Sequence, residues 1–413
     1  MNICFISRRY FPAISGMSVY AQNLLRELVA LGHEVTMVSQ YRNDAVGRGV
    51  YGGGPPPPVP GVRVVGLEAH GEQNGGRFED DVQAIVDTVQ HLHQQRPFDI
   101  IHAQYGYPPG LAALQLSRLL GVPNVVSIQG GDGHWVGVNC CGTHQRAIRA
   151  VLNHAGAVLI GCPSFAQEVM ENHGTAPERF TYVPGAVDVS RFRPRADWQP
   201  GQWANAAHPT LLYHGRVDRR KGVLDLLYAF EQLAPTRPNL RLIVSGIGPD
   251  LEAVRQRVQT APWQAQVELA GYVAYDEVPA VYHRADVFVS PTYAEGFSNT
   301  ILEAMASGLP CVAAEAVGVV DCLRHAENGL LVRPGDVAAL TNALALTLDD
   351  EPLRAQLAHA ALNEVRSTYA WPIIGRQIDA VYRQLAGTTP DLGWPDDSAA
   401  PEPCRYREAP HLL

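Results

Sequence analysis

The sequence predicts an α/β protein made of two doubly wound halves in tandem, and three observations predict it. Short apolar runs rich in Val and Ile alternate with longer amphipathic stretches from end to end, the sign of βαβ units and parallel sheets. The pattern runs once and then restarts near Leu211, which two tandem halves explain better than one large sheet. At 413 residues the chain is also too long for one ordinary core.

In the first half, strands are expected at Ile3–Ser7, Val35–Ser39, Val62–Leu67, Ile100–Ala103, Asn124–Ile128 and Val158–Gly161. A helix over Tyr20–Leu31 puts Leu24, Leu25, Leu28 and Leu31 on one face, and Gly32 follows as its C-cap. Tyr51 to Pro60, with three glycines and five prolines, reads as a surface loop. After a break between Pro184 and Pro209, the second half opens with a strand at Leu211–His214, a polar turn, a helix over Leu224–Leu233 and a strand at Leu240–Ser245. A further strand, Val287–Ser290, ends at Pro291; a helix then starts near Ser298 or Asn299 and stops at Gly308, with Pro310 beyond. Residues 388–413 turn to Pro, Asp, Ser and Ala without periodicity and are expected to be a disordered tail.

Composition narrows the function. With 46% hydrophobic and 18% charged residues, the chain reads as a soluble globular protein. The 32 basic and 41 acidic residues give a net charge of −9, the wrong sign for binding a nucleic-acid backbone as a main task. No run approaches the 18 apolar residues of a membrane span, and the first apolar run breaks at Arg8-Arg9, which reads as a strand rather than a signal peptide. Neither half carries a Lys/Arg cluster of the kind that binds anionic lipid, so at most transient membrane contact is expected. The seven cysteines are scattered, without a CxxC pair or zinc spacing, so reduced thiols and a cytoplasmic location are expected. Adjacent Cys140 and Cys141 do not easily reach one ion together, so the pair with His144 reads as structural.

Two segments carry chemistry. The first, His214 to Gly222, follows a strand and leads into a helix, the edge where open α/β sheets bind ligands and where a helix N-terminus favours an anion. It holds Arg216, Arg219, Arg220 and Lys221, the only lysine in the chain, and suits a diphosphate. A solvated charge run capping the helix is the alternative. The second runs from Glu295 to Pro310, with Glu295 on a glycine turn and Glu303 near the helix start. Carboxylates there accept hydrogen bonds from sugar or ribose hydroxyls, and the backbone N–H groups of Phe297, Ser298, Asn299 and Thr300 face an anion. The alternative is a pair of ordinary first-turn acids favoured by the helix dipole, worth only about 0.3–1 kcal/mol.

Together these segments resemble the donor site of the retaining glycosyltransferases of family 4, which have the GT-B fold, and the resemblance implies an α/β chain of two Rossmann-like, doubly wound domains facing each other across a cleft. The resemblance is carried by Gly215-Arg216 with Lys221-Gly222, by the Glu-x7-Glu pair Glu295 and Glu303 within an EGFSNxxLEAMAxGxP run, and by Asn328-Gly329-Leu330-Leu331-Val332 followed by Asp336. Val183-Pro184 with Val187-Asp188, Arg191-Phe192-x-Pro194 and Gly32-His33-Glu34-Val35 extend it over nearly all of residues 1–386.

By resemblance Arg216 and Lys221 hold the leaving diphosphate, Glu295 contacts the donor sugar and Glu303 binds the ribose. Gly215, Gly296 and the backbone of Tyr272 and Val273 then complete the donor site. The resemblance also implies an acceptor domain over residues 1–186 joined by a C-terminal helix at about 371–386, and a nucleotide-sugar domain over 187–370. Trp371 packs where that helix returns to the first domain. The implied reaction is hexosyl transfer from a nucleotide diphosphate sugar to an acceptor hydroxyl on a glycan, lipid or small molecule, with no metal and no cofactor beyond the co-substrate.

The departures are specific. Many members have a glycine pair in the first loop, whereas this chain has Ser15-Gly16, leaving Gly16 to approach the phosphate. Gly185-Ala186 stands where Asn-Gly is frequent. A frequent histidine after the fifth strand is replaced by Gln129, which hydrogen-bonds but takes no proton near neutral pH. His134, five residues on, is the candidate to compensate, with a merely solvated loop histidine as the alternative, and Tyr105 in Tyr105-Gly106-Tyr107 is a candidate acceptor platform, with packing of a tyrosine-rich turn as the alternative. Competing readings are another GT-B enzyme, such as a sugar-nucleotide epimerase or phosphorylase, and a non-catalytic nucleotide-sugar-binding protein.

Overall fold

The computed structural model describes residues 1–13, 15–71, 73, 76–130 and 142–395. The first unit contains β1 (Asn2–Ser7), α1 (Gly16–Ala30), β2 (Glu34–Tyr41), α2 (Ala45–Tyr51), β3 (Val62–Glu68), α3 (Phe78–Gln95) and β4 (Ile100–Gln104). It continues through α4 (Leu111–Leu120), β5 (Asn124–Ile128), α5 (Gly142–His154), β6 (Ala157–Ile160), α6 (Pro163–His173) and β7 (Phe180–Tyr182). The second unit has β8 (Thr210–His214), α7 (Val223–Leu233), β9 (Arg241–Ser245), α8 (Leu251–Thr260), β10 (Val267–Gly271), α9 (Val278–His283) and β11 (Val287–Ser290). It closes with α10 (Asn299–Ala306), β12 (Cys311–Ala314), β13 (Leu330–Val332), α11 (Val337–Asp349) and α12 (Glu351–Thr368). The last helix, α13 (Trp371–Leu385), belongs to the first unit, and the chain divides between Pro184 and Gly185 and again between Ala370 and Trp371.

Each unit is a parallel sheet. The seven-stranded sheet has the order β3-β2-β1-β4-β5-β6-β7 and the six-stranded sheet the order β10-β9-β8-β11-β12-β13. Strand order reverses between β1 and β4 in one and between β8 and β11 in the other, and ligand crevices open at the carboxyl ends of such strands. In the second unit the side chains alternate between two cores. Leu212, Ile243, Phe288 and Ala313 pack on one face, while Leu211, Leu242, Val287 and Val312 pack on the other. Strands covered on both faces read as continuous apolar runs, which is why the sequence shows them without alternation.

Helix α1 is longer than its apolar stripe, because Ser15 caps it by accepting a hydrogen bond from the Ser18 amide, so it begins four residues before Tyr20. Trp371 is 1% exposed, its ring 5.2 Å edge-on from Tyr20, and His33 Nε2 lies 2.8 Å from Asp379 Oδ1. These contacts fasten α13 to the first unit.

The tail needs a correction for residues 388–395. Trp394 is buried beneath the Arg118 guanidinium, 3.7 Å from its ring centre, and Arg118 donates to the carbonyls of Leu392 (3.0 Å) and Trp394 (2.7 Å). Asp391 pairs with His154 at 2.8 Å. A single aromatic anchor has no period, so the composition of this segment hid its docking. Residues 396–413 lie outside the described residues. No described helix is long and apolar enough to cross a membrane.

Candidate active site

Three glycines set the geometry at the β8–β11 reversal. Gly215 leaves β8 with φ +145°, and no atom lies within 4 Å of where a side chain would start. Gly246, beyond β9, has φ +135°, and a Cβ there would lie 1.8 Å from the Gly215 carbonyl oxygen. At Gly222, with φ +70°, a Cβ would lie 1.9 Å from the Pro291 carbonyl oxygen. The loop carrying Arg216 and Lys221 is therefore wedged between the ends of β9 and β11, and only glycine permits the approach.

The four cations of this loop are not equivalent. Arg219 pairs with Asp250 at 2.7 Å, and Arg220 makes a forked pair with Asp218, its Nε 2.9 Å from Oδ1 and its Nη2 2.5 Å from Oδ2. Both carboxylates are held below the ordinary range by these guanidiniums, chiefly through their hydrogen bonds in the case of Asp250 and against the cost of burial in that of Asp218. Arg216 touches Asp218 only at 3.5 Å and is half exposed. Lys221 Nζ lies 2.8 Å from Glu295 Oε1 and donates to the Ala294 carbonyl at 3.1 Å. Of the four cations expected to suit a diphosphate, Arg219 and Arg220 each put two nitrogens on one carboxylate, whereas Arg216 and Lys221 each meet a carboxylate at a single nitrogen. Sequence reasoning gave neither carboxylate a role: Asp218 lies within the cationic run, and Asp250, 31 residues from Arg219, carries no local signal.

Glu295 sits on the turn after β11, its amide donating to Val317 O (3.0 Å), while Gly318, with φ +75°, packs against its carbonyl group. Helix α10 starts at Asn299 with Ser298 as N-cap, but Ser298 makes no side-chain cap; its hydroxyl lies 3.5 Å from that of Thr300. The Ser298 amide donates to Gly318 O at 3.3 Å, which corrects the expectation that all four amides from Phe297 to Thr300 face an anion. The Phe297 ring packs on Tyr369, 5.7 Å between centres. A Cβ at Gly185 would come within 2.5 Å of both Phe297 Cδ1 and Asn299 Oδ1, which gives the Gly185-Ala186 departure a steric reason.

Glu303 also needs a correction. It lies in the second turn of α10, not near its start, and is buried, so the helix dipole does not explain it. The Tyr282 hydroxyl, from α9, donates to Glu303 Oε2 at 2.9 Å and to Thr300 O at 3.2 Å. Burial pushes the Glu303 carboxyl up to about 7, against the lowering effect of the Tyr282 hydrogen bond. Tyr282 carries no motif, and no pattern in the sequence pointed to it. Tyr272 is half exposed just after Gly271, whose carbonyl accepts from Gly246 N at 2.7 Å, while Val273 packs on the core.

In the first unit, Gly16 is the first residue of α1, with open space where a side chain would begin. Of the two readings of Tyr105, the packed one fits: it is 6% exposed, its φ is +91°, and the Arg8 guanidinium lies 4.6 Å over its ring, so it is not an open acceptor platform. Tyr107 is buried against Phe78 and His144. Gln129 follows β5 half-buried, whereas His134, Cys140 and Cys141 lie outside the described residues.

The family described as "Glycosyl transferases group 1" matches residues 196–364, and the "Glycosyl transferase 4-like domain" matches residues 15–186. A glycogen synthase of Mycobacterium tuberculosis is 27% identical over 412 residues, covering 92% of this chain and 94% of that one. A D-inositol 3-phosphate glycosyltransferase of Pseudarthrobacter chlorophenolicus is 28% identical over 373 residues, covering 84% and 85%. Among solved structures, sucrose-phosphate synthase from Thermosynechococcus elongatus superposes with a TM-score of 0.77 at 24% identity over 93% of this chain and 98% of that one. Anabaena HepE in complex with UDP-glucose gives 0.72 at 19% identity over 93% and 100%. These structural likenesses show the fold, and with the two family matches on the two parallel-sheet units they place the protein: the chain belongs to the family 4 type of glycosyltransferase, with the GT-B fold.

Proposed function

We propose that this glycosyltransferase is a metal-independent, retaining hexosyltransferase that moves a sugar from a nucleotide diphosphate sugar to a hydroxyl of a carbohydrate acceptor. The observation that carries the reading is the Lys221–Glu295 pair, on the loop after β8 that also carries Arg216, at the β8–β11 reversal. A cation and a carboxylate are held together where a strand reversal opens the sheet edge. The match of the chain to relatives named for sugar transfer, and of its fold to a protein solved with UDP-glucose, supports a nucleotide-sugar donor.

In this reaction the bond between the anomeric carbon and the β-phosphate oxygen breaks, and the acceptor oxygen bonds that carbon on the same face. Entry on that face places the acceptor hydroxyl beside the departing phosphate oxygen, which takes its proton. Negative charge grows on the diphosphate as the bond breaks, so Arg216 and Lys221 stabilise the transition state more than the ground state. Glu295 accepts from a hydroxyl of the sugar, and Glu303 from the ribose. Gly215, Gly296, the free amides at the start of α10 and the Tyr272–Val273 backbone line the donor. The acceptor belongs to the first unit, with Gln129, and the enzyme works in the cytoplasm with at most transient membrane contact.

The test is a transfer assay with UDP-, GDP- and ADP-hexoses and oligosaccharide acceptors, with the product's anomeric configuration read by NMR. Retention at the anomeric carbon is the expected result. Inversion, or turnover of the donor to an isomerised sugar nucleotide, contradicts the reading.

A further inference from the structure

His214 is the last residue of β8, and its imidazole has no part in the donor chemistry described above. Side chains alternate along the strand, so His214 lies on the face of Leu212, which packs with Tyr282 and Phe288, whereas Tyr213 packs on the opposite face. The imidazole meets the Tyr282 ring edge-on, 5.6 Å between centres, and the Tyr282 hydroxyl donates to Glu303 Oε2 at 2.9 Å. One tyrosine therefore touches both His214 and the carboxylate read as the ribose ligand.

The ring is fixed before any ligand arrives. Its Nδ1 lies 3.0 Å from the hydroxyl of Ser245, the fully buried last residue of β9. The two strand ends are pinned together just beyond, since a Cβ at Gly246 would lie 1.8 Å from the Gly215 carbonyl oxygen. Nε2 has no hydrogen-bond partner among the described residues, yet it is not sealed inside the protein. His214 is half-buried, and no atom lies within 4 Å of where a side chain would start at the next residue, Gly215. Burial pushes the imidazole down to about 4, so the ring is neutral near pH 7. A neutral ring offers one N–H and one lone pair, and the Ser245 hydroxyl engages Nδ1 as either. A sugar hydroxyl, itself both donor and acceptor, fits Nε2 in both tautomers. A phosphate oxygen fits only one of them and gains nothing from an uncharged ring.

We infer that His214 is a further donor-binding residue, whose Nε2 hydrogen-bonds a ribose hydroxyl of the nucleotide sugar beside the Glu303 carboxylate. The inference rests on the transferase reading, since it deepens the donor site of that same reaction. Two fixed groups on the ribose, one neutral and one anionic, favour a ribonucleotide over a deoxy counterpart that leaves one of them unpaired. Because Ser245 and Tyr282 already hold the ring, binding orders it at little further cost.

The test takes whichever of UDP, GDP and ADP binds the full-length protein most tightly and titrates it by calorimetry beside its 2′-deoxy and 3′-deoxy forms. Removing at least one hydroxyl is expected to weaken binding to the wild type by about ten-fold, as lost hydrogen bonds imply. In His214→Asn, which keeps a polar group near Ser245 but ends short of Nε2, that penalty should shrink by about three-fold or more. His214→Gln, whose amide reaches further, should keep more of it. Thermal melts check that each variant folds, and if His214→Asn does not, Ser245→Ala carries the test, since releasing Nδ1 should lower the same penalty. A ring that only packs would weaken all three ligands alike, so deoxy penalties equal to those of wild type overturn the proposal, as does a wild type that binds the deoxy forms as tightly as the parent. In both of those outcomes the diphosphate site stands. A wild type that binds no nucleoside diphosphate overturns the donor site and this proposal with it.

Discussion

Lys221 Nζ stands 2.8 Å from Glu295 Oε1, joining the last residue of the β8 loop's cationic run to the turn that follows β11. Both side chains remain partly exposed, 31% and 23%, so solvent screens the pair and its net contribution to folding is at most about 1 kcal/mol. Under the proposed function, a diphosphate arriving on this loop competes with Glu295 for the ammonium, and the freed carboxylate turns to a sugar hydroxyl. The pair thus reads as a resting arrangement of two groups with separate tasks once donor is bound.

Lys221→Ala is expected to lower kcat by about 10², near 3 kcal/mol, and more than it raises the donor KM, since the lost interaction grows with charge on the leaving phosphate. Lys221→Arg restores the rate only in part, because a planar guanidinium does not replace a compact ammonium. Steady-state kinetics beside thermal melts check this. A stability loss within about 1 kcal/mol with a large rate loss fits the account, whereas near-wild-type kcat removes Lys221 from catalysis.

Glu303→Ala is expected to weaken donor and free nucleoside diphosphate alike, by about 1.5–3 kcal/mol, as for a lost hydrogen bond to a charged group. Tyr282→Phe weakens them less, by removing the hydroxyl that fixes Glu303 Oε2 at 2.9 Å. Calorimetry on the folded variants reads both, and unchanged diphosphate affinity takes Glu303 out of the site.

The same carboxyl gives a pH signature. Its folded-state value is raised from 4.5 to about 7, so the folded protein binds the extra proton over that window. Its contribution to stability is therefore largest below the lower value and falls as pH rises towards the upper one. Glu303→Gln should flatten that fall relative to wild type in denaturant titrations across the window. Diphosphate affinity of the wild type should rise over the same range as the carboxylate forms. Identical pH profiles for the two proteins contradict the assignment.

Gly222→Ala tests the loop itself. With φ +70° and a Cβ 1.9 Å from the Pro291 carbonyl oxygen, the substitution must move backbone. A left-handed non-glycine residue costs about 1–3 kcal/mol, so the melting temperature should fall, and kcat should fall with it as Lys221 shifts. A variant with wild-type stability and rate would show that the wedge does not position the cation.

Chelation tests the two-cation reading. With Arg216 and Lys221 carrying the phosphate charge, activity should survive excess EDTA. Complete loss, restored by Mg²⁺ or Mn²⁺, would overturn that reading.

The parts of the fold that were legible in the sequence were the buried parallel strands, since β1, β5, β8 and β11 are covered on both faces and stand out as apolar runs bounded by turns. Short elements such as β7 (Phe180–Tyr182) and β13 (Leu330–Val332) were harder, because three residues carry no period. At the candidate site, Arg216, Lys221, Glu295 and Glu303 were singled out by their place after predicted strands and by resemblance. The pairing of Lys221 with Glu295, the Tyr282 support under Glu303 and the burial of Tyr105 depend on contacts between distant segments. Trp394 shows the same limit: one aromatic ring under Arg118 docks a stretch whose composition reads as tail.

The most direct measurement is a calorimetric titration of UDP, GDP and ADP into the wild-type chain and into Arg216→Ala and Lys221→Ala. At least one nucleoside diphosphate is expected to bind the wild type, and each variant should bind it about ten-fold or more weakly, as the loss of a charge-assisted contact implies. Binding that is absent from the wild type, or unchanged in both folded variants, would contradict a diphosphate site at the β8–β11 crevice.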